Sequence, residues 1–437
     1  MKKSFIIVLF LVAIVAPRLA IAQTVLIDGE IRPRTEYRDG YSKPLLDTND
    51  PGVFTIQRSR LSLTFTSGLL TTQLTVQDSR TFGQAANASE VASTGIYEAW
   101  AEMLLVPGGS FKIGRQTLKY DDNRLFSAPP WSNTGTTHDL GLFKYNINDF
   151  QAHLGIAYNN NSAISSETYY SGMTKYRLMN FLWLSKDIWN GINISAIAID
   201  EGVQDTTGTK NNTTNYLKTK MNHAFTWGGN LKFQNDSCPV SALATAYFQS
   251  GKNSTGQTLT GKLLALKVDY KFFDFLSANV GTDYLSGDSN GTTDETQSNF
   301  KKLYGADHAF NGVMDYWDTP LNQGLLNYYG GVTGKIGKKL TLEGSYHVFN
   351  SEFSGINKKK VEFGKGLGSE FDLIATYKLN TWTTVQGGYC RYFANTNTIV
   401  SKDLATSATI PTEIRTPQWT YLMFTIKPTF LNTATAK

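Results

Sequence analysis

Residues 340–348 read Leu-Thr-Leu-Glu-Gly-Ser-Tyr-His-Val. In an extended chain successive side chains point to opposite faces, so Leu340, Leu342, Gly344, Tyr346 and Val348 share one side while Thr341, Glu343, Ser345 and His347 share the other. A lipid face opposite a wet lumen accounts for that division directly. The same separation recurs at 275–284, where Leu276, Ala278, Val280, Thr282 and Tyr284 oppose Asn279, Gly281 and Asp283. It recurs again at 369–377, where Phe371, Leu373, Ala375 and Tyr377 oppose Glu370 and Asp372. In none of these segments does a carboxylate need to face lipid.

Outward from there, period-two segments are expected at 24–37, 53–66, 70–78, 94–105, 110–117, 138–146, 149–159, 174–184, 188–200, 217–234, 240–249, 260–270, 275–284, 325–335, 340–350, 368–378, 382–393 and 415–427. The connections between them alternate without exception between short (67–69, 106–109, 147–148, 185–187, 235–239, 271–274, 336–339, 379–381) and long. A barrel inserted from the periplasm has short periplasmic turns and long extracellular loops, with both chain ends on the periplasmic side. The expectation is therefore all-β: a single transmembrane antiparallel β-barrel of about 18 strands in the cell outer membrane, with lipid as its surroundings. No linker or composition shift divides residues 23–437, which read as one domain. Mean hydropathy is −0.26 and no run after residue 22 approaches 18 apolar residues, which excludes spanning helices while leaving room for alternating strands. Tyr37, Tyr158, Tyr270, Tyr284, Tyr377 and Trp382 fall near strand ends, where amphipathic rings suit a membrane interface.

The first residues carry Lys2 and Lys3, then an apolar run from Phe5 to Val15, then Ala20-Ile21-Ala22 before Gln23. That order is a secretory signal peptide over 1–22, since the 11-residue run is too short to cross roughly 30 Å of hydrocarbon. Without Lys2, Lys3 and Arg18 the chain has 38 Lys+Arg against 36 Asp+Glu, so the balance is near neutral and nucleic acid is not an implied partner. Cys238 and Cys390 are too few for a disulfide framework, and spacing does not say whether they pair. The histidines (His138, His153, His223, His308 and His347) lie in no His-Glu-x-x-His spacing, and there is no Gly-x-Ser-x-Gly elbow. Enzymatic activity, metal and cofactors are not expected. A channel for a hydrophilic solute is the leading reading, with a non-conducting structural or adhesive barrel as the alternative.

A charged ladder marks the first two strands. Val25, Ile27 and Ile31 take one parity of the first, and Asp28, Glu30, Arg32, Arg34 and Glu36 take the other. The second strand adds Arg58 and Arg60 opposite Leu61, Leu63 and Phe65. Arg32, Arg34, Arg58 and Arg60 thus point into one part of the lumen, where rigid guanidinium forks suit carboxylate or phosphate groups on a solute. They also suit a scaffold of Arg–carboxylate pairs, for which Glu30, Glu36, Glu98, Glu102, Glu343, Glu370 and Asp372 supply partners. The third long connection contains Gly114-Arg115-Gln116-Thr117-Leu118-Lys119-Tyr120-Asp121-Asp122-Asn123-Arg124-Leu125-Phe126, then Trp131-Ser132-Asn133 and His138-Asp139. Charges beside large apolar residues are what a loop folded inward to constrict a pore requires as anchors. Tyr304 to Trp317, rich in small, aromatic and charged residues, reads as a second ordered plug or lid. The Asn/Gly/Ser/Thr-rich stretches Gly208–Thr214 and Ser286–Thr293 read as solvated outer loop.

The Gly114–Asp139 segment, the Asp307–Trp317 segment and the later Leu367-Gly368-Ser369-Glu370-Phe371-Asp372-Leu373 with Gly388-Tyr389 together resemble the alginate-export family of outer-membrane barrels, in particular its Bacteroidetes members. The resemblance implies an 18-stranded barrel whose arginine-lined pore passes an anionic uronate polymer. It brings periplasmic export or uptake components as partners. By motif it carries over Arg115, Asp122, Arg124, Glu370 and Asp372, while Arg32, Arg34, Arg58, Arg60 and Glu343 are placed on the solute path by strand position. The near-neutral balance and abundant lumenal carboxylates depart from a strongly basic conduit, which leaves a general porin or an uptake channel of other specificity open.

Overall fold

The computed structural model describes residues 23–84, 94–160, 162–166, 176–205, 220–289, 295–406, 409–411 and 413–435. The expected leader 1–22, the Gly208–Thr214 stretch and residues 290–293 of the Ser286–Thr293 stretch lie outside them.

The strands are β1 (Gln23–Asp39), β2 (Gly52–Ser67), β3 (Leu70–Thr81), β4 (Gly95–Val106), β5 (Gly109–Gln116), β6 (His138–Ile147), β7 (Phe150–Tyr158), β8 (Leu178–Trp189), β9 (Ile192–Gln204), β10 (Met221–Gln234), β11 (Val240–Gly251), β12 (Lys262–Phe273), β13 (Leu276–Leu285), β14 (Leu325–Ile336), β15 (Leu340–Asn350), β16 (Gly366–Lys378), β17 (Thr383–Phe393) and β18 (Gln418–Ile426). Each pairs antiparallel with the next. β18 returns to β1 with Arg34 opposite Met423, and the continuation Thr429–Asn432 pairs with Leu26 to Asp28. The sheet is closed, so it has no unpaired edge to leave in lipid.

The two faces follow the sequence. Ile31, Leu61, Leu63, Ile113, Leu182, Trp227, Val280, Val332, Val348 and Leu373 are exposed on the outside, forming the band that meets hydrocarbon. Their neighbours of opposite parity point inward and are mostly buried, among them Glu30, Arg32, Arg34, Glu36, Thr226, Asn230, Asp283, Glu370 and Asp372. No helix among the described residues is long and apolar enough to cross a membrane.

Most strands lie within three residues of the expected bounds; β10 starts at 221 against the expected 217, and β8 and β9 are displaced together. The turn expected at 185–187 lies at Asn190-Gly191, so β8 ends at Trp189 instead of 184 and β9 starts at Ile192 instead of 188. Asn190 (φ 39°) and Gly191 (φ 92°) both take the left-handed conformation that a two-residue hairpin with right-twisted arms demands. Ser185 and Asp187 remain within β8.

The interior is filled by loops. L3 (117–137) and the described residues of L7 (286–289 and 295–324) and L9 (394–406, 409–411 and 413–417) fold inward, and Leu118, Leu125, Phe126, Met314, Tyr316, Trp317 and Val400 join one apolar cluster with wall residues Phe181, Ile199, Tyr247, Phe349, Tyr392 and Trp419. L9 carries the short helix α1 (Thr396–Ser401), whose N-terminus is closed by reciprocal bonds between Asn395 and Thr398.

Candidate functional site: the L3 constriction and its arginine wall

L3 crosses the lumen between two anchors. The first is Asp121 to Phe126. Arg124 Nη2 donates to Asp283 Oδ1 on β13 at 2.5 Å, and its Nε donates to Asp122 Oδ2 at 3.0 Å. Asp122 also accepts from Thr245 Oγ1 on β11 (2.8 Å), and Asp121 accepts from Trp183 Nε1 on β8 (2.8 Å). Burial alone would lower the Arg124 pKa, but the Asp283 and Asp122 carboxylates more than offset it and hold the guanidinium charged. Burial works the other way on Asp121, raising its carboxyl above the ordinary range despite donors such as Trp183. Asp121 (φ 53°) and Asn123 (φ 67°) adopt left-handed backbone to make this tight hook, a strain its surroundings must hold in place.

Phe126, fully buried, packs against Tyr120, Phe181, His138 and Tyr304. L7 lies on this anchor through backbone bonds from Tyr304 N to Leu125 O (2.9 Å), Ser127 N to Tyr304 O (3.0 Å) and Ala306 N to Asn123 O (2.9 Å). A side chain at Gly305 would sit 2.2 Å from the Arg124 carbonyl, so only glycine permits the approach. The Tyr304 hydroxyl donates to Glu201 on β9. Arg124 lies over the Phe310 ring at 4.0 Å, and Met314 N donates to Glu370 Oε1 at 2.7 Å.

The second anchor is Pro130 to Thr134, on the arginine wall. Arg32 donates to the carbonyls of Pro130, Trp131 (3.0 Å) and Ser132 (3.0 Å), with Asn133 Oδ1 at 3.4 Å. Arg34 donates to Trp131 O (2.8 Å) and lies over the Trp131 ring at 3.6 Å. Arg58 donates to Ser132 O (2.6 Å) and Pro130 O (3.3 Å). Arg60 faces Thr134 O at 3.5 Å, donates to Gln77 Oε1 (2.7 Å) and lies over the Tyr97 ring at 3.6 Å. Trp131 is sandwiched between Arg34 and His308 of L7, the latter stacked at 4.2 Å.

The wall is incompletely neutralised. Arg58 pairs with Glu30 (2.6 Å), and Arg34 with Glu36 (2.8 Å), which also takes Arg38 (2.8 Å). Arg32 and Arg60 have no carboxylate partner among the described residues. From Arg38 to the level of Arg60, which faces Glu30, the basic rungs span roughly 26 Å at about 3.3 Å per residue. Further round the barrel stand the buried carboxylates Glu201 on β9, Asp283 on β13, and Glu370 and Asp372 on β16.

The expected site residues distribute as follows. Arg32, Arg34, Arg58, Arg60, Asp122, Arg124, Glu370 and Asp372 all point inward, and Glu343 shares lumenal parity with Ser345 and His347 while remaining exposed. Glu370 Oε2 and Asp372 Oδ1 are buried without a hydrogen-bond partner, while Asp372 Oδ2 accepts from Ser345 Oγ at 3.2 Å. Arg115 is a correction. It shares the outward parity of Ile113, is 45% exposed, and pairs with Asp139 (2.8 Å) on the outer surface near the mouth of β5 and β6, away from any solute path. Sequence reasoning missed Asp283, Glu201 and the His308–Trp131 stack, which depend on contacts between distant loops and strands, and Trp419, whose Nε1 donates to Glu36 Oε2 (3.0 Å) only once β18 closes the barrel against β1. Among the described residues no group of three or more His, Cys, Asp or Glu could hold a metal ion.

The model of the alginate export family matches residues 28–158, which span the arginine wall and all of L3. A search of the curated proteins returns no match. Solved structures share the fold at low identity: Pseudomonas aeruginosa OccK9 (OpdG) superposes with a TM-score of 0.61 at 11% identity over 93% of this chain and 98% of that one. OccK11 (OpdR) of the same organism gives 0.60 at 10% over 94% and 96%, and OpdK, solved with vanillate, gives 0.58 at 11% over 93% and 99%. The solved structures share the fold and the family match points to a channel: the chain is an 18-stranded outer-membrane β-barrel, similar over residues 28–158 to the alginate export family.

Proposed function

We infer that this channel passes a hydrophilic anionic solute, of the carboxylated-sugar class that the alginate export match suggests. The observation that carries the reading is the basic wall: Arg32, Arg34, Arg38, Arg58 and Arg60 stand together with Glu30 and Glu36 as their only ion-pair partners among the described residues, and the wall borders the constriction. Fixed positive charge beside a narrow passage raises the local concentration of anions and supplies donors that match a carboxylate. The vanillate in OpdK, a carboxylate ligand in a similar barrel, is compatible with this reading.

Arg32→Gln/Arg60→Gln tests it with the least damage, because both Glu30–Arg58 and Glu36–Arg34 remain paired. In planar bilayers under a salt gradient, the reversal potential of the parent channel should report anion preference, and the double variant should lose most of it. The effect should be strongest in dilute salt, where the Debye length is about 30 Å at 0.01 M against about 3 Å at 1 M. A folded double variant, verified by heat-modified gel mobility, with an unchanged reversal potential at low salt would refute the reading.

A further inference from the structure

Arg32 is 2% exposed and has no carboxylate partner among the described residues; its Nε is buried with no hydrogen-bond partner at all. Every bond its guanidinium makes goes to one short segment of L3: the carbonyls of Pro130, Trp131 and Ser132 and the amide oxygen of Asn133. The same carbonyls take donors from Arg34 and Arg58. A buried cation satisfied only by neutral oxygens is an expensive arrangement, and a carboxylate adds to the hydrogen bonds a charge attraction and a bidentate geometry that a carbonyl does not supply. An incoming carboxylate would therefore be preferred at Arg32 over the carbonyls now there.

We propose that Arg32, with Arg34 and Arg58 beside it, is a carboxylate-binding subsite of the channel that segment 130–134 fills in the absence of solute. The carbonyls of Pro130 to Ser132 hold the place of the solute's carboxylate oxygens. A uronate unit arriving along the wall takes those donors, and the segment swings off the wall. This rests on the anionic-solute reading above and adds to it a location and an order of events.

The segment is suited to such exchange. Pro129 and Pro130 carry no N–H groups of their own to lose, and they hold the carbonyls in a stiff extended run. Gly135 (φ 76°) ends it, with its would-be Cβ 3.0 Å from Arg60 Nη2 and 2.7 Å from Tyr97, so the turn passes as close to the wall as backbone can. Apart from the arginines, the segment is held by neutral contacts alone: Asn133 Nδ2 donates to Ser79 Oγ at 2.7 Å and to Gln57 O at 3.4 Å, Gln77 Nε2 donates to Thr134 O at 3.0 Å, and the Trp131 ring packs on His308, Trp419 and Tyr421. The other anchor of L3, at Asp122 and Arg124, is fixed by full charges and would stay.

The test uses the full-length channel in planar bilayers with sodium glucuronate as probe and glucose as the neutral control. Ser79→Cys/Asn133→Cys, in a Cys238→Ser background, places a disulfide where the Asn133–Ser79 bond now lies and clamps the segment to the wall when oxidised. Asn133→Asp supplies Arg32 with a carboxylate from the chain itself. Glucuronate should interrupt the current of the parent and of the reduced double variant, and glucose should not. Oxidation should cut the frequency of those interruptions at least tenfold, reversibly on reduction, and Asn133→Asp should do the same without any cross-link. If glucuronate interruptions persist undiminished in the oxidised channel and in Asn133→Asp, solute passes without entering the Arg32 site and this proposal is overturned while the anionic reading stands. If the parent itself shows neither glucuronate interruptions nor anion preference, the anionic reading falls and takes the subsite with it.

Discussion

Arg124→Leu separates the two motif arginines of L3 by their surroundings. Arg124 is 8% exposed and bridges Asp122 and Asp283, whereas Arg115, nine positions earlier, shares a solvent-accessible pair with Asp139. Removing one partner from a buried pair costs about 3–5 kcal/mol because the carboxylates left behind are uncompensated, while an exposed pair contributes about 0–1 kcal/mol. Arg124 and Asp122 lie on L3 and only Asp283 is on a strand, so the loss should appear chiefly in the docking of L3 rather than in the barrel. An equilibrium shifted by about 3–5 kcal/mol changes by roughly two to four powers of ten. Arg124→Leu should thus leave heat-modified gel mobility at the parental value, but make the single-channel current larger and noisier and open L3 to protease added from its side. Arg115→Leu should do neither. Adding Asp122→Asn and Asp283→Asn to Arg124→Leu removes the uncompensated charges and should restore part of the protection. Equal currents and equal protease resistance in Arg124→Leu and Arg115→Leu would refute the argument that the buried pair holds the loop.

Three further outcomes can be checked directly. Burial holds the Lys402 ammonium down to about 8, with Asp318 opposing, while an undocked L9 would titrate near the ordinary lysine value of about 10.4; between those values the undocked loop binds the extra proton, so protection of L9 from protease should rise with pH from about 8 to about 10.4, and Lys402→Met should flatten that rise. Cys238 lies in the short 235–239 turn and Cys390 is fully buried, so a membrane-impermeant maleimide should leave intact cells unlabelled and modify Cys238 once the periplasm is opened; labelling of Cys238 in intact cells would invert the topology. Gly114→Ala should weaken barrel folding, since at φ 123° a Cβ would lie 2.2 Å from the Ala99 carbonyl in the β4–β5 ladder, and unaltered gel mobility across a temperature series would refute that.

The barrel was legible because alternation is a local property: each strand declares its two faces without knowing its neighbours, and the inward parity of Glu30, Arg32, Arg34 and Glu36 follows from Ile31 and Thr35 facing out. The β8–β9 turn was misplaced because Ser185-Lys186-Asp187 is polar, although Asn190-Gly191, the stronger hairpin signal, stands just beyond it. Arg115 shows a conflict between two kinds of reading. Family motif put it on the solute path, while its own parity with Phe111 and Ile113 put it outside, and the parity prevailed because lipid-side geometry is set by the strand. Asp283 and His308 carried no sequence signal as partners of L3, nor Glu201 as a partner of Tyr304 in L7, since each meeting spans more than 100 residues of chain and nothing periodic encodes it.

What L3 does share with the sequence is its charge order. Its first half carries Asp121, Asp122 and Arg124 and reaches the acidic side of the lumen, where Arg124 finds Asp283. Its second half, from Ala128 to Gly135, carries no charge at all and reaches the basic side, offering carbonyls where a carboxylate would have neutralised Arg32. A loop meant only to plug the barrel would gain by placing an acidic residue at 132 or 133, because an ion pair there would replace neutral acceptors around a buried cation. The acidic residue is missing at the point where it would bind most firmly. The two ends of L3 are consequently unequal: the charged hook at 121–126 is a pivot, and the neutral stretch at 130–134 is the end that yields first when an anion competes for the arginines.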